Sequence, residues 1–502
     1  MTTLTTSLRR LDPGAVTVAL AWIAIAVTFL SVTIVGILTL PWVGTADAFD
    51  HLDYVYQVSQ GQLPQPVGHE WTTHGEPSFE AKIAARQFSS AHPPLWYAIG
   101  AALVGDTLAG PDWRHGVLVL RLVNTAIGLA GLAVLAWAGW TLGYTRRVAL
   151  AITLPAIGGF TFYYLRFSAE VYNDLLVTLL SLLAVTISCR LIQGGISARL
   201  FVPLVIVSTL GFGTKATFVL SWGVAVVAVV VAGILHRRAG GRRWYLRPLV
   251  ATGVLLAVPI AVFGWFYVRN AELSGAWYRS TPKAPVGTRQ ERSLVDNLVD
   301  PDFYTIVPRA LLHRGTTDYR ALAESASVAL FAVLVAITIA VVIRWIVRRK
   351  QNPLTPAGRI EMALLTTLIL GHLAGSYVLQ LSHASGYGAY NWRYFLPSTI
   401  SIAIILGLGI AALPRARIVL IPAAMTVLWG WNLWAFVAYR ADTVPGIGDI
   451  VATSMVLAGR NGAPEWAPVV GIVGAVAGTL ALLAVLVARR ATLAEAPRAL
   501  ED

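Results

Sequence analysis

Five short stretches of the chain carry side chains that could do chemistry together. Residues 45–54 hold Asp47, Asp50 and His51. Asp47 and His51 are four residues apart, so a helix starting here puts them on one face. A carboxylate beside a histidine can act as a general base once its pKa is tuned; Asp47 can equally serve as the N-cap of a surface helix. His92 stands before Pro93 and Pro94, which bar helix ahead of them and hold it at a helix start. There it either positions a phosphate or a substrate hydroxyl, or lines a turn. Arg166, Glu170 and Asp174 follow a four-residue spacing and can share one helical stripe, as a site or as a self-satisfied ladder. Lys215, after Gly211 and Gly213, interrupts an apolar run. It either snorkels as an anchor or holds a lipid phosphate. Arg393 sits among Tyr390, Trp392 and Tyr394. A guanidinium there pairs bidentately with a phosphate, or anchors an aromatic belt. Arg269 and Asn270 are weaker candidates of the same kind.

Four histidines, His51, His69, His74 and His92, lie in one polar stretch, but their spacing matches no zinc signature. A divalent cation, Mg or Mn, held by Asp and Glu stays open; no other cofactor is implied. No phosphate-binding P-loop, Rossmann glycine pattern or nucleophile elbow occurs, which argues against a nucleotide-driven pump and a nucleotide-sugar Rossmann transferase. Cys189, the single cysteine, excludes an internal disulfide and reads as a small buried hydrophobe.

These residues need a frame, and the composition supplies it. Of 502 residues, 56% are hydrophobic and only 13% charged. That excludes a disordered chain, a disulfide scaffold and an ordinary soluble enzyme. Ala15 to Ala46 carries no charge and follows Arg9 and Arg10. Its apolar stretch is far longer than a signal peptide's, so an uncleaved anchor is expected. Further apolar runs near 117–142, 148–165, 171–191, 200–214, 217–235, 248–267, 325–346, 361–382, 395–412, 417–438 and 467–488 bring the expected spans to about twelve. The run at 93–105 is too short to span and reads as interfacial or re-entrant. The expected fold is an all-α polytopic membrane protein, residues 1–502 forming one transmembrane domain. Two large outer segments, 41–115 with interfacial helices and 269–324, and a third at 440–466 would carry any chemistry.

The net charge of +13 would suggest nucleic acid in a soluble protein. Here it sorts by side. With the N-terminus cytoplasmic, the inner ends carry an excess of about +16 and the outer side about −3, as the positive-inside rule expects. Both termini are then cytoplasmic, the candidate residues lie on the opposite face, and no nucleic-acid partner is needed.

The order of the motifs resembles the GT-C superfamily of integral-membrane glycosyltransferases, which includes protein O-mannosyltransferases, aminoarabinose transferases of lipid A and bacterial cell-wall arabinosyl and mannosyl transferases. The matching pieces are the acidic motif Asp47 to His51, Gly61 to Pro64, the His-Pro-Pro-Leu-x-Tyr of His92 to Tyr97, Ser168 to Asp174, Thr214-Lys215 and Arg393 to Pro397. They cover about residues 10 to 440. The usual Asp-Glu of the first loop is Asp47-Ala48 here, so either Asp47 or Asp50 stands for the family's base. The resemblance implies a polyprenyl-phosphate sugar donor and inverting transfer on the extracytoplasmic face of a bacterial cytoplasmic membrane. The acceptor would be a glycan, lipid or protein. It implies Asp47 or Asp50 as base, and Lys215, Arg393, Tyr394 and His92 at the donor phosphate. His51, Arg166, Glu170 and Asp174 would serve the acceptor or a second acidic motif. The alternative class is a polytopic transporter or lipid flippase, which expects polar or broken helices near the bilayer midplane. A noncatalytic assembly subunit that keeps the fold is a third reading.

Overall fold

The computed structural model describes residues 12–42, 47–66, 70–71, 87–237, 243–277, 292–312, 320–347, 356–387, 390–438 and 449–493. His69, His74 and Arg440 lie outside them. The described secondary structure is helical throughout, with no strand among the described residues. In chain order the helices are α1 (Pro13–Thr39), α2 (Ala48–Ser59), α3 (Leu95–Ala109), α4 (Trp113–Leu142), α5 (Arg147–Gly158), α6 (Phe162–Ala169), α7 (Asp174–Gly194), α8 (Ala198–Phe212) and α9 (Val219–Leu235). They continue with α10 (Leu246–Ser274), α11 (Leu294–Val299), α12 (Pro301–Arg309), α13 (Arg320–Val347), α14 (Pro356–Tyr387), α15 (Thr399–Ala411), α16 (Arg417–Ala438), α17 (Ile450–Arg460) and α18 (Ala467–Ala488).

Each of the expected apolar runs is helical, but fewer than twelve are full spans. Among the described residues ten helices are long and apolar enough to cross a membrane, and eleven if α5 and α6 together make one. The run at 148–165 is bent by 67° between α5 and α6, where Gly158 and Gly159 precede a turn. The run at 200–214 gives α8, only 15 residues. That is about 22 Å of helix, short of a hydrocarbon core of about 30 Å. The chain therefore turns back at 213–215, and the turn carries Lys215. The run at 93–105 is the short helix α3, 15 residues and too short to cross.

Two packing devices position the chain around Asp47. Helix α1 starts with Asp12 accepting from the Gly14 N–H and with Pro13 in the first turn. Its last carbonyls have no partner within the helix, and in lipid they must find one. Arg121 of α4, buried, donates to the carbonyls of Ile37 at 3.0 Å, Leu40 at 3.4 Å, Pro41 at 2.5 Å and Trp42 at 3.3 Å. One side chain thus fixes where α1 ends and how the chain leaves it. Along α1 runs α18, whose Gly471, Gly474 and Gly478 lie against Val35, Ser31 and Thr28 so closely that a Cβ would collide. This is the small-residue packing expected where helices associate without a hydrophobic drive.

Helices α7 and α15 are the most enclosed spans, whereas α13 and α14 turn most of their surface outward. The main apolar cluster joins α1, α4 to α7, α15, α16 and α18. A second cluster forms between α2 and α3 and their neighbours from Phe49, Leu52, Tyr54, Val55, Trp71, Trp96 and Tyr97.

Candidate active site

The segment after α1 is held by a buried carboxylate that the motif reading passed over. Asp53 Oδ1 accepts the Glu70 and Trp71 N–H groups, each at 2.9 Å. Its Oδ2 accepts from Gln57 Nε2 at 2.8 Å and Gln87 Nε2 at 2.5 Å. Asp50, also buried, accepts the Phe88 N–H at 3.1 Å. The Tyr54 hydroxyl donates to the His92 carbonyl at 3.0 Å, and Asn270 Nδ2 to the Ala91 carbonyl at 3.0 Å. Arg269 donates to the Pro64 carbonyl at 2.7 Å. Asp50, Asp53, Arg269 and Asn270 therefore fold the loop down onto α10.

Asp47 stands at the N-cap position of α2 but caps no backbone N–H with its side chain. Its carboxylate instead takes the Arg393 guanidinium at 2.5 Å. Arg393 comes from a 3-10 turn (Trp392–Ser398) that leads into α15. Its aromatic neighbours point to different tasks. Trp392 stacks on Tyr163 and Phe167, Tyr390 donates to Asp300 at 2.8 Å, and the Tyr394 hydroxyl meets His383 Nδ1 at 3.0 Å. Arg393 is thus a partner of Asp47 rather than the anchor of an aromatic belt.

The expected stripe of Arg166, Glu170 and Asp174 does not form. Helix α6 ends at Ala169, Glu170 is extended with φ −118° and ψ 171°, and α7 begins at Asp174. Arg166 still meets Glu170, Nε to Oε1 at 3.0 Å. Asp174 goes elsewhere: its Oδ1 takes Lys215 Nζ at 2.6 Å. The two side chains are only 2% and 6% exposed, so Lys215 does not snorkel to the surface. The break that removes Asp174 from the stripe is itself held. Asn124 of α4 donates to the Glu170 carbonyl at 2.7 Å and the Tyr172 carbonyl at 2.8 Å, and accepts from Trp96 Nε1 at 3.2 Å. Asn173 Nδ2 donates to the Thr214 carbonyl at 3.1 Å. Consecutive residues 173 and 174 thereby strap onto consecutive residues 214 and 215. Asn173 Oδ1 and Asp174 Oδ2 are buried acceptors with no partner among the described residues; they could take hydrogen bonds from a hydroxyl.

His51 lies within the electrostatic reach of both ion pairs. Its ring is buried, meets the Tyr97 hydroxyl at Nδ1 at 2.8 Å and stacks 6.0 Å from His92. Tyr172 tilts against it at 4.8 Å. Burial pushes the His51 pKa down to about 3, with Lys215 and Arg393 adding to the fall against the pull of Asp174 and Asp47. Burial also holds His92 well below the ordinary value, reinforced by Lys215. Both rings are neutral at physiological pH. For Asp47, burial raises the pKa, but the Arg393 charge and hydrogen bond outweigh it and the net shift is downward.

The cluster therefore unites Asp47, His51, His92, Asp174, Lys215 and Arg393. Asp50 holds a backbone N–H beside it, the Arg166–Glu170 pair flanks it, and Tyr394 follows Arg393 in the chain. Sequence reading missed Arg121, Asn124, Asn173 and Tyr97 as positioning groups. The signal for Arg121 and Asn124 was there, since polar residues inside an apolar span usually hold something. Among the described residues no three His, Cys, Asp or Glu side chains come together as a metal site.

The molecule is a polytopic all-α protein with a charged cluster at the end of the bundle where α1 ends and α7 begins. Two solved structures are similar to it. One is ArnT from Cupriavidus metallidurans bound to undecaprenyl phosphate, 15% identical, with 93% of this chain and 76% of that one covered and a TM-score of 0.45. The other is the same protein in the apo state, 14% identical, with 96% and 77% covered and a TM-score of 0.46. No family model matches the chain, and no curated protein matches its sequence.

Proposed function

We propose that this protein is a glycosyltransferase that moves a sugar from a polyprenyl-phosphate donor to a cell-envelope acceptor. The observation that carries the reading is the cluster itself: two cations and two carboxylates, drawn from four chain segments, meet around neutral histidines at one end of a membrane bundle. The leaving phosphate needs positive charge where its own charge develops, and Lys215 and Arg393 supply it. Asp47 accepts the proton of the acceptor hydroxyl. That oxygen attacks the anomeric carbon as the bond to the phosphate oxygen breaks, with inversion. Asp47 is the better base than Asp50, whose carboxylate holds the Phe88 N–H. Asn173 Oδ1 and Asp174 Oδ2 accept from hydroxyls of the bound sugar. His51 and His92, uncharged, wall the site without competing for the phosphate. Arg-rich turns such as that at Arg146 and Arg147 support a cytoplasmic assignment for the other end of the bundle, which leaves the chemistry to the outer face of a bacterial plasma membrane.

The test is sugar transfer from a polyprenyl-phosphate donor by Asp47→Ala and Asp50→Ala. Loss in Asp47→Ala with activity kept in Asp50→Ala supports the assignment. Full activity in both removes the base from this loop. One observation favours transport instead. His372, at the middle of α14 and buried, meets Ser221 Oγ at 3.0 Å, and Ser376 meets Ser398 at 2.6 Å. Flux into proteoliposomes without covalent product would replace the enzyme by a transporter.

A further inference from the structure

Both cations of the site are already engaged. Lys215 Nζ sits 2.6 Å from Asp174, and Arg393 sits 2.5 Å from Asp47. The first pair is nearly sealed from water, so its charges are little screened. A lipid phosphate that enters must take these same donors, and it arrives beside two carboxylates that repel it. Like charges this close repel strongly unless one partner moves or takes up a proton.

We propose that Asp47 and Asp174 compete with the donor phosphate for Arg393 and Lys215, so that the base is held on Arg393 until the donor arrives and is freed by it. This rests on the reading of the site as a phosphate site and adds an order of events. Donor binding comes first. The phosphate draws the guanidinium from Asp47, whose carboxylate regains the basicity that the ion pair withholds, and only then can the acceptor hydroxyl lose its proton. The groups facing Asp47 are Arg393 from the turn before α15, His51 from its own helix α2, Lys215 from the turn after α8, and Tyr172, whose hydroxyl lies 3.4 Å from the Asp47 N–H. Of these, Arg393 makes the direct contact with the carboxylate. The Asp174 arm repeats the device with a difference. Its second oxygen has no partner among the described residues, so Lys215 is its principal restraint.

The inference makes a counterintuitive prediction. Removing the base should improve donor binding. The full chain in lipid nanodiscs is titrated with undecaprenyl phosphate. Asp47→Asn is expected to bind it about tenfold more tightly than wild type while losing transfer, because the competitor's charge is gone and the guanidinium is kept. Asp174→Asn is expected to tighten binding in the same direction through Lys215, and it carries the test if Asp47→Asn does not fold. In an Arg393→Gln background the gain from Asp47→Asn should vanish. Equal or weaker binding by both folded Asn variants, with wild type still binding, overturns the competition and leaves the phosphate site standing. No binding by wild type or by either variant overturns the phosphate site and the competition with it.

Discussion

The Lys215–Asp174 pair offers the sharpest test of why charges are buried here. In Lys215→Met the Asp174 carboxylate keeps its position, 2% exposed, and loses the ammonium at 2.6 Å. Its other oxygen has no partner to fall back on among the described residues. Stranding a buried charge in this way costs about 3–5 kcal/mol. Replacing both members by apolar residues of similar size, Lys215→Met with Asp174→Leu, removes the stranded charge and is close to neutral for stability. The coupling between the two substitutions should therefore reach at least about 2 kcal/mol. The assay is thermal unfolding of the purified full chain in mild detergent, where the single variant should melt on the order of 5 °C or more below wild type. Stability and function should then separate. The double variant should melt near wild type and yet fail to bind undecaprenyl phosphate or transfer sugar. If Lys215→Met melts with wild type, or if the double variant loses the sum of the two single losses, the pair is not a coupled buried ion pair. If the double variant keeps transfer, the pair is structural and the phosphate assignment of Lys215 falls.

Three further outcomes follow from single contacts. The folded His51 ring has a pKa of about 3 against an ordinary 6.5, so between these values the unfolded chain binds a proton that the folded chain refuses. Stability should fall as pH drops through that window, and melting curves of His51→Asn from pH 7 to pH 4 should fall less steeply than those of wild type. Gly213 faces the Phe263 ring so closely that a Cβ collides with it, so Gly213→Ala should cost about 1–3 kcal/mol by overpacking. It should also weaken undecaprenyl-phosphate binding by moving the Lys215 turn, measured against an unchanged Gly223→Ala, where a Cβ meets nothing within 4 Å. Arg121→Met should free the carbonyls at the end of α1, lower the melting temperature and reduce transfer. If transfer stays at wild-type level with the protein folded, Arg121 does not position Asp47.

The architecture was legible because its signals are local. Long uncharged stretches read as helices, and the basic turns sort to one end. The span count drifted where a local signal was blind to context. At 200–214 an apolar run continues past the point where Gly211 and Gly213 let Phe218 and Phe263 crowd the backbone and turn the chain. At 148–165 an apolar composition conceals a 67° bend. The site residues were legible as a set but not as pairs. Four-residue spacing joins Arg166 to Glu170 and extends on paper to Asp174, yet the helix breaks at Glu170, where Asn124 takes the carbonyls on both sides of Val171. No spacing rule within 166–174 contains that fact. Likewise the partner of Asp47 lies 346 residues away, and only packing could reveal it.

The breaks and the charges belong to one design constraint. A helix interior in lipid satisfies its own backbone and leaves no backbone polar group free to meet a ligand. In this protein the four charged side chains of the cluster converge where helices stop. Asp47 follows the end of α1, Asp174 opens α7, Lys215 lies in the turn after the short α8, and Arg393 in the 3-10 turn before α15. Each stop leaves backbone groups that need partners, and polar side chains at these junctions supply them: Arg121 at the end of α1, Asn124 and Asn173 around the start of α7. Residues that hold only the backbone, Arg121 and Asn124, are thus as tightly required as the charged groups they position. Substituting them should reduce transfer through geometry, lowering kcat together with stability, while substitution of Asp47 to Asn should abolish transfer in a protein that still folds and binds the lipid phosphate.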